Sequence, residues 1–386
     1  MPALFDDVVR SSAAPRSYAE DTFGFLNRVT GQFWERIRDV LNSWYEIYPD
    51  DTGDLRNRFR SRDHRQHYGA WWELYVHQLL LRLGFRLTLH PEIEGSSGRP
   101  DFLATRDEDR VYVEAVTTFS GIVAQGARNN RLQLEILDII NTIDAADFFV
   151  SINFSRVGET MPGRAAVTAP IEAWLADLDP DDYASARHLP TTRVNFGEWL
   201  LELRAIPRSP EHRGKQDNRL VGTHGAIAGF TNDREQLYRA LTRKKKQHGT
   251  PNDPMVIAVL ATNSFVDTDV ITDALFGSSA VQMDIASGAT RVVRQPDGFW
   301  VGQRGVSSKK ISAVLMGIGI VPETCARTAP QLWHHFDPTY SLDTNLPFAT
   351  ARVANDQLRF SEASASVHDL LGLAPDWPGP EPAFER

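Results

Sequence analysis

The chain has 386 residues, of which 42% are hydrophobic and 24% charged, and its formal net charge is -9. This composition is ordinary for a globular protein, and the length suggests about two domains. The negative charge argues against a surface coated in positive charge for non-specific nucleic-acid binding, although a local basic groove stays open. Cys325 is the single cysteine, which excludes an internal disulfide and fits a reducing cytoplasm. Since no apolar run approaches the ~20 residues of a membrane helix, we expect no membrane partner.

Two helices are expected before the first strand. Residues 30–48 place apolar side chains at helical spacing, and Pro49 with the acids after it ends the helix. Residues 66–83 repeat this spacing, and Gly84 suits the C-terminal cap. We therefore assign residues 1–65 to a helical N-terminal segment with a basic linker.

After Gly84 the hydrophobic pattern changes to strict alternation, which is typical of strands. Three strands, a helix and a further strand are expected, in this order, at residues 85–93, 101–105, 111–119, 129–143 and 147–154. The order from 66 to 155 is therefore α-β-β-β-α-β, which predicts an α/β fold with a mixed sheet. Residues 156–386 would form a C-terminal α/β extension that could complete this sheet.

The third strand carries a carboxylate among apolar residues. Side chains alternate along a strand, so Glu114 points to the same side as Tyr112 and Val116. An ionised carboxylate there is costly unless something compensates its charge. Asp101 opens the neighbouring strand, and the hairpin register could bring the two carboxylates close together. Two carboxylates this close raise each other's pKa or require a cation between them. Oxygen ligands of this kind suit Mg²⁺ or Mn²⁺.

A third carboxylate precedes the hairpin. Glu73 lies on the helix at 66–83, beside its apolar stripe, and this helix could aim it at the same point. Structural roles stay open for all three acids. Asp101 could shape a turn, and Glu73 could be a surface residue. Glu114 could form a salt bridge with Arg99 or Arg110.

The succession of these motifs resembles the PD-(D/E)XK nuclease superfamily. The matched segments are WWELYVHQLLLRLGF, GRPDFLAT and VYVEAVTT, and the resemblance covers residues 66–155. It implies a restriction-endonuclease-like αβββαβ core in which Asp101 and Glu114 hold Mg²⁺ or Mn²⁺ and Glu73 is an auxiliary ligand. The implied activity is metal-dependent phosphodiester hydrolysis, foremost of DNA and secondly of RNA, in bacterial defence or repair.

One position departs from the family pattern. The motif lysine, two residues after the glutamate, falls on Val116. A group of this kind is typically worth about 10²–10⁴ in rate, so a substitute would have to come from elsewhere in space. Candidates are Arg128, Arg131 and Gln133 on the next helix, and Lys244, Lys245 and Lys246 on a helix expected at 232–247.

Two basic runs could contact nucleic-acid phosphates. They comprise Arg56, Arg58, Arg60, Arg62 and Arg65, and then Lys244, Lys245 and Lys246. Either run could instead be a solvated loop or helix end. Cutting both strands of a duplex would favour a homodimer. Two alternatives to a nuclease stay open, namely the same fold without turnover as a binding module for nucleic acid or protein, and a hydrolase of another phosphate ester.

Overall fold

The computed structural model describes residues 2–93, 98–119, 127–183, 189–214, 220–221, 233–247, 249, 251–262, 266–283 and 290–382, with backbone only at 127–130. Contacts divide the chain into two compact units. The first unit comprises Met1–Val9, Thr30–Phe119 and Asn232–Glu381. The second unit comprises Arg10–Val29, Ser120–Thr231 and Pro382–Arg386.

Helices and strands alternate along much of the chain. The helices are α1 Thr22–Arg28, α2 Gln32–Glu46, α3 Asp54–Phe59, α4 His64–Arg82, α5 Ala127–Ile140, α6 Arg164–Ala176, α7 Pro180–Tyr183, α8 Asp233–Gln247, α9 Thr268–Phe276 and α10 Val367–Leu371. The strands are β1 Arg86–Leu89, β2 Phe102–Arg106, β3 Asp109–Thr118, β4 Phe148–Arg156, β5 Thr191–Phe196, β6 Trp199–Pro207, β7 Met255–Ala261, β8 Ser279–Met283, β9 Thr290–Arg294, β10 Val301–Gly302, β11 Gly305–Val306, β12 Ala313–Ile318, β13 Gln331–His334, β14 Ala349–Ala354 and β15 Gln357–Ser361. Within the described ranges, no helix is long and apolar enough to cross a membrane.

The first unit is built around an eight-stranded sheet with the order β1-β2-β3-β7-β12-β13-β14-β15. β1, β2 and β3 pair antiparallel, as their hairpin pattern predicts, whereas β7 lies parallel to both β3 and β12. A parallel partner requires a crossover connection, and α8 is the helix that precedes β7. The mixed α/β sheet expected from the sequence is therefore confirmed.

Helices cover both faces of this sheet. On one face, Trp72 of α4 donates its indole N–H to the carbonyl oxygen of Ala258 in β7 at 2.9 Å. On the other face, Leu241 of α8 packs in a buried apolar cluster with Ile257. Glu114 lies opposite Ile257 in the β3–β7 pair, so its side chain belongs to the face that α8 covers.

The second unit has its own sheet and core. Strands β4, β6 and β5 form a three-stranded antiparallel sheet, and α5 packs in its apolar cluster. The predicted core range 66–155 is therefore corrected. Strand β4 belongs to this three-stranded sheet and not to the large one, and α5 packs in the same apolar cluster as β4. The ranges 1–65 and 156–386 are likewise divided between the two units. Apolar spacing marks an element as buried but does not tell which sheet it joins.

Candidate functional site

Asp101 and Glu114 face each other across neighbouring strands. Phe102 pairs with Val113, and the same register continued by one position sets Asp101 against Glu114. Asp101 Oδ2 accepts a hydrogen bond from the backbone N–H of Ala115 at 2.7 Å. The Glu114 side chain is 1% exposed. The hairpin thus brings the two carboxylates together, as its sequence predicts.

A lysine from α8 reaches the buried Glu114 carboxylate. Lys244 Nζ donates to Glu114 Oε1, and the two residues are 130 positions apart in the chain. Only 17% of the Lys244 side chain is exposed, so solvent screens the attraction between the two charges weakly. Lys244 is one of the candidates named for the missing motif lysine, and the structure brings it to Glu114.

The position of the motif lysine is part of the core. Val116 is 6% exposed and belongs to the apolar cluster that contains Leu241. Leu241 and Lys244 are three residues apart on α8, which places them on the same side of the helix. The helix face that buries Leu241 near Val116 therefore also carries the Lys244 ammonium to Glu114.

Burial and neighbouring charges both act on the ionisation of Asp101. Burial, Glu114 and Glu73 raise the pKa of Asp101 well above its ordinary value, whereas Lys244 and the N–H of Ala115 oppose this rise. Burial is the largest cause of this rise, and the charges of the neighbouring glutamates come second. A further cation would stabilise the ionised form of Asp101.

Glu73 is a buried residue with two donors, which excludes the surface role left open above. Tyr48 Oη donates to Glu73 Oε1 at 2.5 Å, and Arg58 Nη2 donates to Glu73 Oε2 at 2.8 Å. Burial and Glu73 raise the pKa of Tyr48, which keeps the phenol protonated as a donor. Glu73 lies near enough to Asp101 to raise its pKa, and its own two oxygens accept these hydrogen bonds from Tyr48 and Arg58.

The two arginines considered as partners of Glu114 pair elsewhere. Arg99 contacts Glu92 at 2.5 Å, and Arg110 contacts Asp253 at 3.1 Å. The salt bridge expected for Glu114 exists, but its cation comes from a helix and not from the hairpin.

Three arginines of the first basic run are anchored by side-chain contacts within the first unit. Arg56 and Arg60 donate to backbone carbonyl oxygens of the N-terminal segment at 2.8 Å and 2.7 Å, and Arg58 pairs with Glu73. Arg62 and Arg65 are exposed. Phosphate contact stays a prediction for all five arginines.

The remaining basic and polar candidates differ in position. Lys245 Nζ donates to Ser308 Oγ at 3.0 Å, and Lys246 is exposed. Arg131 pairs with Glu135 at 2.9 Å, and Gln133 is fully buried, both within the second unit. The side chain of Arg128 lies outside the described residues.

Asp101 and Glu114 fit a divalent cation such as Mg²⁺ or Mn²⁺. Both present carboxylate oxygens, which these hard cations prefer, and a cation would favour the ionised form of Asp101, which burial and the two neighbouring glutamates disfavour. Tyr48 and Arg58 already donate to the oxygens of Glu73, so we expect Glu73 to act beside the ion more than as a direct ligand. Among the described residues, no group of three or more His, Cys, Asp or Glu side chains is arranged to hold a metal ion. Asp101 and Glu114 are the two carboxylates that we expect the protein to supply.

No family model, curated protein or solved structure matches the chain. We therefore infer function from the site itself and from the motifs that form it.

Proposed function

We propose that the protein is a metal-dependent nuclease that hydrolyses phosphodiester bonds, with DNA as its first substrate. The observation that carries this proposal is the contact between Lys244 Nζ and Glu114 Oε1, on the strand position opposite Asp101. It supports replacement of the lysine absent at Val116 by one from α8. Two carboxylates and an ammonium then share one corner, which is the set that the PD-(D/E)XK resemblance implies.

The proposal includes a restriction-endonuclease-like core made from two separate segments. Helix α4, strands β1, β2 and β3, helix α8 and strand β7 follow one another in αβββαβ order, and β7 is parallel to β3. In the sequence, Ser120–Thr231 of the second unit lie between β3 and α8, as an insertion in this core. Insertions of this kind are tolerated at loops between core elements.

Each residue has a distinct role in the proposed chemistry. A bound Mg²⁺ or Mn²⁺ would lower the pKa of a water molecule and offset charge that develops on the scissile phosphate. Asp101 and Glu114 hold this ion through ionised carboxylates, so protonation of Asp101 weakens the hold as pH falls. Lys244 stabilises charge on the phosphate side of the same corner. Glu73, fixed by Tyr48 and Arg58, adds negative charge without direct contact.

Cleavage assays test this proposal. Labelled single-stranded and double-stranded DNA and RNA are incubated with the full chain in Mg²⁺, Mn²⁺ or EDTA, beside Asp101→Asn and Asp109→Asn. Asp109 is a matched control because it lies on β3 and pairs with Arg106 at 3.2 Å, away from Glu114. We expect cleavage that needs metal, is kept by Asp109→Asn and falls at least about 10²-fold in Asp101→Asn. Equal cleavage by Asp101→Asn, or cleavage in EDTA, would overturn the proposal.

A second candidate is the same fold without turnover, acting as a binding module. One observation favours it: the Glu114 carboxylate already contacts the Lys244 ammonium, and the Glu73 carboxylate already has two donors within the protein. This candidate predicts salt-sensitive DNA binding that survives Asp101→Asn, with no cleavage by the native protein in either metal.

A further inference from the structure

A layer of aromatic rings reaches the protein surface just after β13. The indole of Trp300 is fully buried, and the rings of Phe276 and His335 each lie 5.2 Å from it. The Phe336 ring stacks on both, at 5.1 Å from His335 with an interplanar angle of 22° and at 6.3 Å from Phe276 with an angle of 27°. Phe336 is 38% exposed, so the layer is buried within and ends in one aromatic ring at the surface.

The ring beneath Phe336 is fixed by hydrogen bonds. His335 Nε2 lies 2.8 Å from the carbonyl oxygen of Ser307, which can only accept, so Nε2 is the donor. The other ring nitrogen, Nδ1, accepts from the backbone N–H of Asp337 at 2.9 Å. Both nitrogens hold the imidazole plane, and Phe336 is stacked on that plane. A flat ligand that stacks on a ring already held in place immobilises fewer groups on binding.

Short contacts connect this surface to the carboxylate corner. Lys245 follows Lys244 on α8, and its Nζ donates to Ser308 Oγ at 3.0 Å. The preceding residue, Ser307, is the one whose carbonyl oxygen accepts from His335. The turn at residues 307–308 therefore touches both the helix that carries Lys244 and the ring on which Phe336 stacks.

The register of the large sheet gives the separation. Glu114, Ile257, Val314 and Trp333 occupy one row across four adjacent strands. Three interstrand spacings amount to about 14 Å, which is roughly four steps of 3.4 Å along a B-form strand. Phe336 comes three residues after Trp333, so it lies within reach of the same short piece of nucleic acid as Glu114.

The sequence around this surface is positively charged. Residues 243–246 are one arginine and three lysines, and residues 309–310 are two lysines, whereas the whole chain has a net charge of -9. An acid, Asp337, pairs with Lys309 at 3.0 Å. An aromatic ring beside cationic segments is complementary to a nucleic-acid strand, which has flat bases and negative phosphates. An apolar protein partner would have to desolvate these charges.

We propose that Phe336 is a stacking platform for an unpaired base of the nucleic-acid strand whose phosphate enters the Asp101–Glu114 corner. The inference deepens the proposed nuclease function and rests on it. Every base has a π-face, so this contact would hold the strand without selecting its sequence. A base inside a duplex is already stacked, so the platform requires a single-stranded or extruded nucleotide.

Binding to strands with and without bases provides the test. Affinities of the full chain for single-stranded oligothymidylate and for an abasic oligomer of equal length are measured in an Asp101→Asn background, so that cleavage does not enter the result. Phe336→Leu keeps an apolar side chain but removes the aromatic ring. We expect it to weaken binding of oligothymidylate at least about fivefold and to leave binding of the abasic oligomer unchanged.

Phe360→Leu is the matched control and should change neither affinity. Phe360 is 51% exposed, but its strand β15 is five interstrand spacings, about 24 Å, from β3. Equal affinities of Phe336→Leu and the parent protein, or an equal loss for both ligands, would overturn the platform and leave the cleavage proposal standing. The expected loss in a chain that cleaves nothing would keep the platform and reject the nuclease.

A measurement on the native chain covers the case in which the leucine variant does not fold. Iodouracil placed in a single strand is cross-linked by ultraviolet light, and the attached residue is mapped by mass spectrometry. We expect a cross-link at Phe336 and none at Phe360. Cross-links that never include Phe336 would reject the platform.

Discussion

Two glutamates, each in the middle of a strand, have opposite surroundings. Glu202 on β6 of the second unit is half-buried, and its Oε1 lies 2.6 Å from an Arg193 nitrogen on the adjacent strand. Hydrogen bonds from Arg193 and Asn153 lower the pKa of Glu202. Glu114 on β3 of the first unit is 1% exposed, and the cation that contacts it comes from α8. The charge of Glu202 is thus compensated from a neighbouring strand, whereas the cation that contacts Glu114 comes from a helix.

The difference is also energetic. An exposed ion pair such as Glu202 with Arg193 is a common surface feature that contributes little. Burying the charges of Glu114 and Lys244 removes both from water, and an apolar pair of similar volume would often be as stable or more stable. A buried ion pair is therefore weak evidence for a role in stability, and we propose a role in chemistry for Glu114.

The largest expected effect on stability comes from Glu114→Gln. This change leaves the Lys244 ammonium in a mostly buried position without its carboxylate, and we expect the free energy of unfolding to fall by about 3 kcal/mol. Denaturant unfolding measures the loss, and the cleavage assay should show no activity. Glu202→Gln is the matched control, with little change expected in either assay. Similar losses of stability in the two variants would remove the contrast between the two glutamates.

Val116→Lys tests whether position 116 can accept the charged side chain that the resemblance implies there. An ammonium at this site would enter the apolar cluster that contains Leu241 and Ile257, so we expect a loss of about 2 kcal/mol in unfolding free energy. Val116→Ile adds one methylene without a charge and should lose about 1 kcal/mol, the low end of the cost of overpacking. A Val116→Lys protein as stable as the native one would show that the strand can still accept the lysine.

Tyr48→Phe removes the donor to Glu73 Oε1 and keeps the ring. A hydrogen bond to a charged group is worth about 1.5 kcal/mol or more, so we expect a loss of that order in unfolding free energy. Tyr340→Phe serves as a control because this tyrosine is 37% exposed. An unchanged free energy in Tyr48→Phe would mean that Glu73 does not depend on Tyr48.

The smallest expected effect is a change in pH dependence. The pKa of Asp101 is raised in the folded protein, so between about pH 4, the ordinary carboxyl value, and the raised value the folded state binds more protons than the unfolded state. Stability must therefore fall as pH rises through that window, and Asp101→Asn, which cannot ionise, removes this contribution. We expect the unfolding free energy of Asp101→Asn relative to native protein to increase as pH rises above about 4. Asp109→Asn should follow the native curve, and a parallel curve for Asp101→Asn would contradict the raised pKa.

Local patterns were sufficient to predict part of the site. Alternation along β3 and the short turn before it predict that Asp101 and Glu114 face each other, because a hairpin fixes its own register. The helix that carries Glu73 was also predictable from apolar spacing. These features involve contacts between residues close in sequence.

The rest depends on contacts between distant segments. Lys244 and its neighbours Lys245 and Lys246 look alike in sequence, and only the packing of Leu241 decides which of the three meets Glu114. The sequence did not indicate that β4 forms part of a separate sheet with α5 packed in its core. Their apolar spacing is the same as that of the elements in the core of the large sheet. The partner of Arg58, which lies in the predicted linker, likewise cannot be predicted from local sequence, because α3 and α4 must first pack together.

The most direct test of the central claim, that Lys244 replaces the motif lysine, is the single-turnover cleavage rate of Lys244→Met. Arg239→Met is the matched control, because Arg239 lies on the same helix and pairs with Glu235 on its exposed side at 2.7 Å. We predict that Lys244→Met lowers the rate by about 10²–10⁴ and that Arg239→Met leaves it unchanged. A Lys244→Met protein that cleaves at the native rate would contradict the claim.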